Sequence, residues 1–132
     1  MAELDAFARR FAARLQAGDV VALRGPLGAG KTTLVRAIVR ALHGTDDAVS
    51  SPTFVFRHTY PGTPPVEHVD LYRIENAAGE LPELGLEDAF AADRIVFVEW
   101  PERAEAWLPA ERIEVSIDGS GEGPRTVRHQ RR

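Results

Sequence analysis

The chain has no cysteine, which excludes a disulfide framework, a Cys-ligated zinc site and thiol catalysis. It has no apolar run near the roughly 18 residues that a membrane-spanning helix needs. Met1 to Arg14 mixes acids and arginines where a secretory leader would have a basic cap and an apolar stretch, so a cytoplasmic location is expected. Positive charge is not in excess either: the formal net charge is −4, which argues against gripping nucleic acid through a broad basic face. Lysine is almost missing. Of 16 basic residues, the one lysine is Lys31 and the rest are arginine.

What is present is the composition of a globular protein, 44% hydrophobic and 27% charged, in 132 residues that suffice for one domain. Charge is unevenly placed. Between Asn76 and Asp93 stand Glu80, Glu83, Glu87, Asp88 and Asp93 with no base, whereas the C-terminal stretch from residue 125 to 132 holds Arg125, Arg128, Arg131 and Arg132. The plain expectation is a solvated acidic surface and a frayed basic tail.

Leu4, Phe7, Ala8, Phe11, Ala12 and Leu15 recur at helical spacing and predict an amphipathic helix ending near Gly18. Asp19 to Arg24 reads as a buried strand that runs into Gly25-Pro26-Leu27-Gly28-Ala29-Gly30. A second helix follows, with Leu34, Val35, Ile38, Val39 and Leu42 in period and Gly44 as its stop. Phe54 to Tyr60 and Val66 to Asp70, joined by a Pro-rich turn, predict an antiparallel hairpin. A short helix is expected over 86–92, then a continuous apolar strand, Ile95-Val96-Phe97-Val98. Arg112 to Asp118 and Arg125 to His129 bracket a glycine-rich turn as a last hairpin.

Gly25-Pro26-Leu27-Gly28-Ala29-Gly30-Lys31-Thr32 matches GxxxxGK[ST] between a buried strand and a helix, the context a phosphate-binding loop requires. Glycines let backbone N–H groups turn inward around a phosphate, the helix N-terminus adds its positive end, and Lys31 reaches the β and γ phosphates. Thr32 would give its hydroxyl to Mg²⁺. A compact ammonium fits between phosphate oxygens where a planar guanidinium does not, so the lone lysine falls where such a site needs it.

The loop also needs a carboxylate at the end of a neighbouring strand. Glu99 after Ile95–Val98 has the Walker B layout, and Asp70 after Val66-Glu67-His68-Val69 is the weaker match. Ser50-Ser51-Pro52-Thr53 could contact a γ-phosphate as a switch does, but taken by itself it reads as an ordinary turn. His43, His58, His68 and His129 are dispersed, and a hydrogen-bonded strand histidine is the simpler reading of His68 than a zinc ligand. Trp107 reads as packing. Trp100, next to Glu99, would stand at the mouth of the phosphate site.

A GTPase is excluded because an NKxD guanine motif needs a second lysine, and Asp70-Leu71-Tyr72-Arg73 lacks the glycine of a DxxG switch. A small kinase would have to find its lid elsewhere. The ordered motifs Gly25 to Thr33, Ser51-Pro52-Thr53-Phe54, His68-Val69-Asp70-Leu71-Tyr72-Arg73 and Glu99-Trp100-Pro101 resemble those of the bacterial TsaE family, ATPases required for threonylcarbamoyladenosine beside the tRNA anticodon. Pro26 stands where the family usually has Asp, and the chain begins late relative to it, lacking residues that often lie near the adenine.

The resemblance implies a P-loop NTPase of α/β class, a single domain over 1–132 with a mixed sheet flanked by helices. It implies ATP and Mg²⁺ as cofactors. Gly28, Ala29, Gly30, Lys31, Thr32 and Thr33 would surround the phosphates, Thr32 and Glu99 would hold Mg²⁺, and Asp70 with Lys31 would be catalytic. Ser51 and Thr53 would lie in a switch-like segment, with Trp100 beside the nucleotide. Partners would be TsaB and TsaD, with tRNA met through the complex and ATP hydrolysis resetting it between turnovers. The alternative is a nucleotide-gated binding module in which hydrolysis is incidental.

Overall fold

Seven strands form one sheet in the order β2-β3-β4-β5-β1-β6-β7. The computed structural model describes residues 2–25, 30–47, 49–50, 57–72, 74–75, 79, 90–118 and 126–131. The elements are α1 (Ala2–Ala12), β1 (Val20–Arg24), α2 (Lys31–His43), β2 (Val49–Ser50), β3 (Arg57–Tyr60), β4 (Val66–Asp70), β5 (Ile95–Glu99), a 3₁₀ segment (Pro101–Trp107), β6 (Ile113–Asp118) and β7 (Thr126–Arg131). The central four strands, β4, β5, β1 and β6, run parallel. Antiparallel strands extend both edges: β3 and β2 beyond β4, and β7 beyond β6.

Strand alternation divides the core in two. Val21 and Leu23 of β1, Val66 of β4, Ile95 and Phe97 of β5, and Ile113, Val115 and Ile117 of β6 face the helices α1 and α2. Val20, Val69, Val96 and Val98 face the other way and pack with Leu71, Ile74, Ala104 and Leu108. Two-sided burial explains why β1 and β5 read as unbroken apolar runs. Full burial of a side chain such as Phe97 or Leu23 contributes about 1.5–3 kcal/mol.

The helix predicted to run to Gly18 stops at Ala12 and continues as turns. Arg14 N–H donates to Phe11 O and Leu15 N–H to Ala12 O, tightening the end into i→i+3 bonds, and Gly18 turns the chain with φ 96°. α2 keeps its expected stop, since Gly44 sits in the left-handed region and its N–H donates to Arg40 O. The basic tail is not frayed: 126–131 pairs with 113–118 as β7. Trp107, read as packing, is 42% exposed beside the buried Leu108. Of the helix expected over 86–92, residues 86–89 lie outside the described residues, and 90–94 pass through turns into β5. The strand expected from Phe54 is described from Arg57 onward.

The sheet also carries one charge that pattern reading passes over. Glu67 is fully buried on the face away from the helices. Its carboxylate accepts from Arg57 Nε (2.9 Å), Arg94 Nη1 (2.7 Å) and Thr59 Oγ1 (3.0 Å). Both oxygens are engaged and the single negative charge faces two guanidinium groups, the condition under which a buried carboxylate is tolerated.

Candidate active site

The site lies where β1 ends, α2 begins, and β4 and β5 terminate side by side. β1 and β5 are adjacent and parallel, with Leu23 opposite Glu99. β5 and β4 are adjacent and parallel, with Glu99 opposite Asp70. In a fully extended chain the two carboxylates would stand roughly 100 Å apart; register makes them neighbours at the carboxyl end of a parallel sheet, where ligands bind in such folds.

Gly30 takes φ 94° as it leads into α2, a conformation glycine adopts at little cost. The first turn of α2 contains no acid of its own, which suits an anion at its positive end. Gly28 and Ala29 lie outside the described residues, as do Ser51 and Thr53. Thr33 follows Thr32 on the exposed side of the first turn.

Lys31 departs from the simple expectation of a side chain waiting for phosphate. It is only 4% exposed. Its Nζ donates to Gly25 O at 2.8 Å and lies 4.1 Å from the centroid of the Trp100 ring. A carbonyl and an aromatic face thus satisfy the ammonium. Trp100 is a non-glycine residue at φ 59°, and it leans on Tyr72 with ring centroids 5.0 Å apart. The turn after β5 therefore delivers an aromatic face to the root of the phosphate loop.

Glu99 is buried and receives two donors on the same oxygen. Thr32 Oγ1 donates to Glu99 Oε2 at 2.9 Å, and His68 Nε2 donates to that atom at 2.5 Å. A carboxylate only accepts, so the His68 proton sits on Nε2. Burial by itself would raise the Glu99 pKa, but the bonds from His68 and Thr32 and the nearby Lys31 charge outweigh it and hold the group below the usual value. Glu99 is therefore a carboxylate at neutral pH.

Asp70 is half-buried at the end of β4. Its Oδ1 accepts from Tyr72 N–H at 3.0 Å, the bond of an Asx turn, so register and not a side-chain bond joins it to Glu99. His58, opposite His68 on β3, meets the His68 ring edge-on at 6.3 Å between centroids. Burial, then the nearby His68 and Arg36, lowers the His58 pKa.

The donor set suits magnesium. Thr32 hydroxyl and Glu99 carboxylate are hard oxygen ligands brought to hydrogen-bond distance, and Mg²⁺ is commonly held by one or two protein oxygens together with phosphates and waters. Among the described residues no group of three or more His, Asp or Glu could hold a metal ion.

His68 is the hydrogen-bonded strand histidine expected from the sequence, but its partner, Glu99, lies thirty-one residues away and no local pattern names it. The available signal was the two-residue spacing of His68 and Asp70, which puts both on one strand face. A second concavity, ≈ 470 Å³, lies on the opposite sheet face among Val20, Val69, Leu71, Phe90, Trp107 and Leu108. Its lining is apolar and separate from the carboxylates.

The sequence model of the family described as "Threonylcarbamoyl adenosine biosynthesis protein TsaE" matches residues 1–127. A Streptomyces coelicolor protein named tRNA threonylcarbamoyladenosine biosynthesis protein TsaE is 42% identical over 125 residues, covering 92% of this chain and 83% of that relative. A Bacillus subtilis protein of the same name is 38% identical over 126 residues, covering 95% and 77%. The crystal structure of YdiB from Bacillus subtilis superposes with a TM-score of 0.73 at 32% identity, covering 96% of this chain and 76% of that one. A family match over residues 1–127 and relatives of 38–42% identity along most of their length place the chain in the TsaE family.

Proposed function

We propose that the chain is a Mg²⁺-dependent ATPase that serves threonylcarbamoyladenosine formation on tRNA, working with TsaB and TsaD. The names of its relatives support the pathway. The observation that carries the ATPase reading is the Thr32–Glu99 bond, which joins the first turn of the phosphate-loop helix to the strand-end carboxylate as a shared magnesium site demands.

On this reading Lys31 leaves Gly25 O and the Trp100 face for the β and γ phosphates, exchanging one set of partners for stronger, charge-assisted ones. Thr32 and Glu99 orient the magnesium shell. The chemistry that a bound Mg²⁺ held by Thr32 and Glu99 would supply is Lewis-acid stabilisation of the charge that builds in phosphoryl transfer. Asp70, adjacent to Glu99 in register, orients the attacking water from the strand end. One residue after Glu99, Trp100 forms a wall of the phosphate site, its ring lying against Lys31.

The Asx-turn bond of Asp70 favours one second reading: with an oxygen committed to Tyr72 N–H, the chain could act as a nucleotide-gated module with incidental hydrolysis. Threonylcarbamoyladenosine synthesis in a purified system tests both. Synthesis is expected to require this chain and to fail with Lys31→Ala. Full synthesis without the chain overturns the pathway assignment, and full synthesis with a variant that binds ATP without hydrolysing it selects the gated module.

A further inference from the structure

We propose that His68 is a positioning residue for the magnesium site, holding Glu99 so that the Thr32–Glu99 pair stays assembled when the metal is taken up. The inference rests on the ATPase reading above and adds to it a residue that touches neither nucleotide nor metal.

Three observations converge on it. His68 and Thr32 both donate to Oε2 of Glu99, so the carboxylate plane is fixed from two sides, by α2 and by β4. Neither bond uses Oε1. Second, both residues of the His68–Glu99 pair are buried, each with its side chain 6% exposed, so water is a poor substitute for the imidazole N–H. Third, the ring is itself braced, by the strand that carries it and by the edge of His58 across β3.

Thr32 cannot do this work alone. It sits on the exposed side of α2, where water competes for its hydroxyl. The donor from β4 is buried and meets no such competition. A metal-binding carboxylate whose hydrogen-bond partner is removed commonly loses 10- to 100-fold in metal affinity. Because His68 is two residues before Asp70 on the same strand face, one rigid strand sets the position of both carboxylates.

The test compares His68→Gln, which keeps an N–H donor at a similar reach, with His68→Phe, which keeps a ring and removes the donor. His68→Leu serves as the donor-free variant should the phenylalanine protein not fold, as judged by thermal melting. The readouts are Mn²⁺ binding followed by electron paramagnetic resonance in the presence of a non-hydrolysable ATP analogue, and binding of a fluorescent ATP analogue in EDTA.

The donor-free variant is expected to bind Mn²⁺ roughly 10-fold more weakly or worse, with analogue binding in EDTA unchanged and His68→Gln within about threefold of wild type. Unchanged Mn²⁺ affinity in a folded donor-free variant overturns the proposal, as does a loss in His68→Gln as large as in the donor-free protein. A wild-type chain that binds no nucleotide, or binds it with no metal dependence, overturns the ATPase reading itself and is told apart by that control.

Discussion

At the scale of single residues, Glu99 and Asp70 are neighbours with different surroundings, and their loss is expected to differ. Glu99 is buried, ionised and bonded to Thr32 and His68. Glu99→Ala should therefore lower magnesium affinity and leave two donors without their acceptor, at about 1–3 kcal/mol of stability for each group left unsatisfied. Asp70 is half-buried and its bond is local, to Tyr72 N–H. Asp70→Ala should retain Mg-ATP and lose turnover, with a smaller effect on melting. A magnesium titration of nucleotide binding beside steady-state hydrolysis checks both, and normal magnesium affinity in the Glu99 variant with loss in the Asp70 variant reverses the roles. Lys31→Ala is expected to abolish productive ATP turnover. Because Lys31 is buried against Trp100 and bonded to Gly25 O, it also alters the ligand-free protein, so Trp100 fluorescence should change before any nucleotide is added.

At the scale of elements, the root of the phosphate loop is tied to its neighbours by a ring of charges. Arg24, the last residue of β1, donates through Nε to Glu114 Oε1 at 2.7 Å and through Nη2 to Glu105. Arg112 closes the ring, with Nε to Glu114 Oε2 at 2.6 Å and Nη2 to Glu105 Oε2 at 2.9 Å. β1, β6 and the 3₁₀ segment after Trp100 are thereby joined on the side away from the helices. Burial alone would raise the Glu114 pKa, yet the bonds from Arg24 and Arg112 hold it below the ordinary carboxylate value. A depressed folded-state pKa adds stability at neutral pH that disappears as pH falls through the carboxylate range. Glu114→Gln should cost about 1–3 kcal/mol near pH 7 and show a shallower acid-side decline than wild type. Denaturant unfolding at about pH 7 and about pH 4 reads both, and parallel curves would show that the ring contributes no pH-dependent stability.

Much of this element-scale arrangement was legible in the sequence, for definite reasons. β1, β5 and α2 announce themselves because two-sided burial and helical period leave one-dimensional patterns, as in Ile95 to Val98 and Leu34 to Leu42. Glu99 was visible as an acid ending an apolar run. The remainder depends on partners far apart in the chain: Arg24 with Glu114, ninety positions on, Glu67 with Arg94, twenty-seven on, and His68 with Glu99. No local period encodes such pairs. β2, two residues long, is too short for any period to register. Trp100 at positive φ also escapes pattern reading, since nothing in Glu99-Trp100-Pro101 requires a left-handed tryptophan.

For the molecule as a whole, the decisive feature is how the proposed site meets solvent. Its inner parts are buried, Lys31 and Glu99 being each 4% exposed. Its outer parts are not: Thr32 and Thr33 are exposed, Tyr72 is 44% exposed, and Asp70 and Trp100 are only partly covered. A γ-phosphate held between these layers would have fixed donors beneath it and exposed side chains around it. Water screens the charge interactions that stabilise phosphoryl transfer, and excluding it strengthens each of them. The expectation is that binding is competent in the isolated chain while hydrolysis is slow, and that a partner covering this mouth raises the rate. Steady-state ATP hydrolysis measured with and without TsaB, TsaD and tRNA decides the matter, because closure should raise kcat more than it lowers KM. A rate for the chain alone equal to that of the complete mixture refutes dependence on partners.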